Sequence, residues 1–92
     1  MDLQEIRTQL NGIDDQMLSL FCRRMALVKD VAAYKIEHQL PVLDANREQA
    51  IIDRVSQAAG EEMGGYARTL FETLMALSRD YQEKQMDGKN HD

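Results

Sequence analysis

Apolar residues enter the chain at Leu3 and recur at Ile6, Leu10, Ile13, Met17 and Leu20, in alternating steps of three and four. That spacing lines one stripe of an α-helix. The stripe resumes at Leu27, Val31 and Tyr34 and is stopped only by Pro41, whose ring cannot continue a helix. Asp2 followed by Glu5 has the form of an N-terminal capping box. The pattern therefore predicts a helix over 3–38, which at 1.5 Å per residue is a rod of roughly 55 Å. Gly12 weakens it by about 1 kcal/mol without disturbing the period.

After the connection Leu40 to Leu43, Asp44 stands where an N-cap belongs, and a second helix is predicted over 45–59. Gly60, Gly64 and Gly65 read as a turn, followed by a third helix over 66–85 with Leu70, Phe71, Leu74, Leu77 and Tyr81 inward. Residues 86–92, MDGKNHD, read as a fraying, disordered tail. One all-α domain of three unequal helices accounts for residues 1–92. A rod of that length exceeds what so small a globule needs, and a heptad seam held for over four repeats faces another helix, so a homodimer is expected.

Composition narrows the function. The 11 Lys and Arg against 16 Asp and Glu leave a net charge of -5, which disfavours a nucleic-acid-binding surface, so any anion site must be local. The apolar runs are too short to span a bilayer and the acidic start MDLQEIRTQL is unlike a signal peptide, so a cytoplasmic protein is expected. Cys22 is the single cysteine, more simply a structural thiol than a reactive one. His38 and His91 lack metal-ligand spacing, and no metal or cofactor is expected.

Polar residues fall where apolar ones belong. Arg24 occupies the heptad position of Leu3, Leu10 and Met17, and Lys35, 11 residues on, shares its face with Val28 and Val31. Arg47 and Glu48 stand one turn before Ile51 and Ile52, while Ser78 and Gln82 extend the stripe of Leu74. Singly, each has an ordinary explanation: long cationic side chains snorkel, Asp44 caps, Glu48 complements a helix dipole, and Ser78 and Gln82 sit half exposed. Together they place three cations on inward faces, which only an anion can neutralise at acceptable cost. A small ligand with more than one carboxylate, held by Arg forks and an ammonium, completes the arrangement. Arg7 lies roughly 25 Å from Arg24 along the rod. An antiparallel partner helix would carry its own Arg7 back, giving two identical shared sites.

These residues, in this order, resemble the all-helical AroQ class of chorismate mutases, in particular the bacterial mutase domain fused to prephenate dehydratase. The likeness covers residues 3 to 85 and rests on IRTQLNGID, RRMALVKDVAAYK, PVLDANRE and LFETLMALSRDYQ. It implies an intertwined homodimer that rearranges chorismate to prephenate, without cofactor, on the way to phenylalanine and tyrosine. It further implies that Arg24 and the partner's Arg7 clamp the two carboxylates, with Ser78 and Arg47 assisting. Lys35 and Gln82 would donate to the ether oxygen, and Glu48 and the Asp44 region would hold the ring hydroxyl. Two rival readings are an isochorismate-pyruvate lyase with a similar cationic pocket, and a non-catalytic helical dimerisation module in which Arg24 and Lys35 specify pairing.

Overall fold

The structure, a computed structural model, describes residues 1–90. Among them there are helices and no strands: α1 spans Leu3–His38 and α2 spans Ala45–Asn90. At its start Asp2 Oδ1 accepts from the Glu5 amide at 2.8 Å. At its end Gln39 takes a left-handed conformation (φ 56, ψ 42), and the Leu40 amide donates back to the Lys35 carbonyl at 2.8 Å. This closes the helix as a glycine usually does, and it sends the chain across the end of α1.

Two helices replace the three expected. The segment from Gly60 to Gly65 is not a turn; Gly60 alone leaves helical geometry, at φ 85 and ψ 175, and the helix resumes at Glu61 rather than Tyr66. That combination of angles is open essentially to glycine alone. A straight helix of 46 residues would reach about 69 Å, beyond the molecule's longest extent of 56 Å. The kink folds α2 into two arms, 45–59 and 61–90, that run antiparallel. Ser56 Oγ donates to the Gly64 carbonyl at 3.3 Å, Arg68 Nη2 lies 3.5 Å from Asp53 Oδ1, and Arg79 pairs with Glu48. Gly64 is needed inside the second arm because the arms almost touch there: a Cβ on it would lie 2.9 Å from the Ser56 carbonyl oxygen.

The second arm also continues through Asn90, where a disordered tail from residue 86 was expected. Gln85 and Met86 remain half-buried, whereas Asp87 and Gly88 are exposed, so packing supports the helix only as far as Met86. His91 and Asp92, the end of that expected tail, lie outside the described residues.

The core sits between the arms, where Ile51, Ile52 and Met75 are buried and Val55, Phe71 and Leu74 pack on them. α1 adds Val28 and Ala32 from its second half. Each fully buried aliphatic side chain contributes about 1.5–3 kcal/mol. The first half of α1 is bare: Leu3, Ile6, Leu10, Ile13, Met17 and Leu20 all stay exposed, and Cys22 is exposed as well. Leu70 and Leu77, expected inward, are 53% and 46% exposed, since nothing within this one chain covers them. No helix among the described residues is long and apolar enough to cross a membrane.

Candidate active site

A cavity of about 150 Å³ opens where the second half of α1 meets both arms of α2. α1 contributes Arg24, Val28, Val31 and Lys35, which recur at three- and four-residue steps and so share one face. The connection contributes Val42 and Asp44, the first arm Arg47, Glu48 and Ile51, and the second arm Met75, Ser78 and Gln82. Every site residue singled out in the sequence lines this cavity except Arg7. Arg7 is exposed on the uncovered half of α1 and does not reach the cavity within one chain.

The polar walls are ordered by contacts between elements. Arg24 Nη1 donates to Ser78 Oγ at 2.7 Å, and Ser78 Oγ in turn donates to the Leu74 carbonyl at 2.8 Å. Lys35 Nζ donates to Gln82 Oε1 at 2.9 Å and to the Val42 carbonyl at 2.7 Å. An ammonium has no acceptor, so the Gln82 amide must present its oxygen to Lys35, which leaves the NH2 group free to donate elsewhere. Ser78 and Gln82 are 6% and 7% exposed, too enclosed for solvent to replace these partners. Asp44 acts as the expected cap, with Oδ1 accepting from the Arg47 amide at 3.1 Å.

The charges are arranged unevenly. Among the described residues, Arg24, Lys35 and Arg47 form no ion pair with any carboxylate. The Glu48 carboxylate is taken by Arg79. Burial, and after it the positive charge of Arg47, lowers the Arg24 pKa from its ordinary value. Guanidinium is basic enough to stay protonated at neutral pH regardless, so both effects stand as a cost that an incoming anion would relieve. No three His, Cys, Asp or Glu side chains among the described residues gather to hold a metal ion.

Two groups at the site were not anticipated. Arg79 faces its partner across 31 residues, and only a knowledge of how the arms pair would have linked them. The Val42 carbonyl is backbone, to which residue type gives no clue.

Residues 6–83 match the sequence profile of chorismate mutase type II. The chain belongs to that family. Its relatives include a chorismate mutase of Methanocaldococcus jannaschii, 39% identical over 59 residues, a match that covers 64% of this chain and 60% of that protein. A bifunctional chorismate mutase/prephenate dehydratase of Buchnera aphidicola is 27% identical over 85 residues, covering 90% of this chain and 22% of that protein. The 4-amino-4-deoxychorismate mutase of Streptomyces venezuelae is 30% identical over 60 residues, covering 65% of this chain and 58% of that protein. The chain thus spans less than two thirds of each of these relatives. A solved structure of a conserved hypothetical protein from Pyrococcus furiosus superposes with a TM-score of 0.74 at 29% identity, over 87% of this chain and 93% of that one.

Proposed function

We propose that this protein is a chorismate mutase, an isomerase that converts chorismate to prephenate by a Claisen rearrangement. The observation that carries the reading is a cavity with three cations and no carboxylate paired to them, beside a Gln82 amide whose NH2 is turned free by Lys35. The reaction breaks one C–O bond and forms one C–C bond within a single molecule. It needs no nucleophile, proton shuttle or cofactor, only a flexible dianion held compactly and donors aimed at an oxygen that gains charge in the transition state.

In this reading Arg24 binds one substrate carboxylate and Arg7 of a second protomer the other, with Ser78 and Arg47 assisting. Lys35 and the Gln82 amide donate to the ether oxygen. The remaining Glu48 oxygen accepts from the ring hydroxyl, beside Asp44. The working unit is an intertwined cytoplasmic homodimer. The bare apolar stripe of α1, which also carries Arg7, supports it: six large apolar side chains on one half of a helix are an unstable surface for a monomer.

The test is turnover of chorismate, isochorismate and 4-amino-4-deoxychorismate by the wild type and by Lys35→Ala. Prephenate from chorismate, lost with Lys35, supports the proposal. Salicylate plus pyruvate from isochorismate alone would make the protein a lyase, and no turnover of any of the three would leave a dimerisation module.

A further inference from the structure

Arg79 is the cation beside the cavity to which the reading above gives no task. It follows Ser78 on the second arm, about 100° further around the helix, and does not line the cavity. Its Nη1 instead bonds Glu48 Oε1 across the two arms. Glu48 does line the cavity. The Glu48 side chain is 19% exposed and that of Arg79 34%, so the pair lies in a wall where solvent screens charge incompletely.

This contact bears on two properties of Glu48. A carboxylate with no counter-charge outside the cavity would turn to Arg24, Lys35 or Arg47 and quench the cations that an anionic substrate needs. Bound by Arg79 through Oε1, Glu48 leaves those cations free and keeps its second oxygen as an acceptor. The guanidinium also offsets the carboxylate charge. A bare carboxylate prefers an ammonium to a hydroxyl, because the bond is then charged at both ends. A carboxylate already paired to a guanidinium retains the hydrogen bond and loses most of that charge preference.

We propose that Arg79 is a positioning residue that makes the Glu48 end of the site select a neutral hydroxyl on the substrate ring over an ammonium at the same place. The inference rests on the chorismate mutase reading. It concerns a residue that touches no substrate and acts only through Glu48.

The experiment measures kcat/KM near neutral pH for chorismate and for the analogue with an amine in place of the ring hydroxyl, where an aliphatic amine is protonated. The proteins are the wild type, Arg79→Met, Arg79→Gln, Arg79→Lys, Glu48→Gln and the double variant Glu48→Gln/Arg79→Met. Arg79→Met should raise the amine-to-hydroxyl ratio about tenfold, the scale of one partly screened charge, and Arg79→Lys should restore it to within about threefold. With Glu48→Gln already in place, Arg79→Met should leave the ratio where it was, as a residue acting through Glu48 requires.

Equal loss on both substrates in Arg79→Met, or a ratio that moves as much in the double variant, overturns the proposal. Should Arg79→Met fail to fold, Arg79→Gln decides: it can still donate to Glu48 but lacks the charge, so an unmoved ratio overturns the idea and a raised one supports it. A wild type inactive on both substrates overturns the underlying reading and this one with it. An active wild type with unmoved ratios sinks only the role of Arg79.

Discussion

Replacing Gly64 by alanine should destabilise the protein, whereas the same change at its neighbour Gly65 should stabilise it. Both glycines lie inside the second arm of α2, where alanine is favoured over glycine by about 1 kcal/mol. At Gly65 nothing lies within 4 Å of the added methyl, so the gain is realised. At Gly64 the methyl would stand 2.9 Å from the Ser56 carbonyl oxygen and 3.4 Å from its hydroxyl oxygen. The first of these is backbone and cannot rotate aside, so the arms must part. Overpacking of this kind costs about 1–3 kcal/mol, which outweighs or at least cancels the propensity gain. We expect a net loss of up to about 2 kcal/mol for Gly64→Ala and a gain of about 0.5–1 kcal/mol for Gly65→Ala. For a chain of this size, about 1 kcal/mol moves the melting temperature by about 4–8 °C. Thermal unfolding followed by circular dichroism, at one fixed protein concentration because association shifts the midpoint, would show the two variants on opposite sides of the wild type. A Gly64→Ala protein that melts above the wild type, as Gly65→Ala should, would refute the close approach of the arms.

The site makes further predictions. Gln82→Glu would offer Lys35 a carboxylate that cannot donate, so turnover at pH 7 should fall about 100-fold and recover as acid protonates the new side chain; a flat pH profile would remove Gln82 from its proposed role. Arg47→Gln should raise the melting temperature, since it lifts one of the two causes that depress the Arg24 pKa, while KM for chorismate rises about tenfold with the loss of a charge-assisted contact. Mixing inactive Arg7→Ala and Lys35→Ala proteins after joint refolding should restore about a quarter of wild-type activity: half the dimers are mixed and each holds one intact site. No recovery in the mixture would place both residues in one chain's site.

Much of this was legible in the sequence because it is local. The cap at Asp2, the apolar period through Tyr34 and the stop before Pro41 delimit α1 from residues near one another in the chain. The faces bearing Arg24 and Lys35, and Ser78 and Gln82, follow from helical spacing alone, and the gathering of cations on inward faces pointed to one anion site before the family resemblance assigned their roles. What escaped depends on how the arms meet. Three glycines within six residues suggest a loop, yet Gly60 alone reverses the chain, and Gly64 is there for proximity rather than flexibility. Arg79 adjoins Ser78, but its partner Glu48 is fixed only by the antiparallel register. Leu70 and Leu77 belong by period to an apolar stripe, and one chain does not cover them.

The reversal at a single residue also makes the cavity sensitive to chain length. Glu48 lies 12 residues before Gly60 and Ser78 lies 18 after it, and no loop between them can absorb a change in number. One extra residue taken up within the helix between Gly60 and Ser78 would turn the distal part of the second arm by about 100° and slide it about 1.5 Å. Ser78 and Gln82 would then leave Arg24 and Lys35, and Arg79 would swing away from Glu48. Insertions inside the helical turns that flank this apex, far from the chemistry and open to solvent, should therefore be as disruptive as changes in the cavity wall itself.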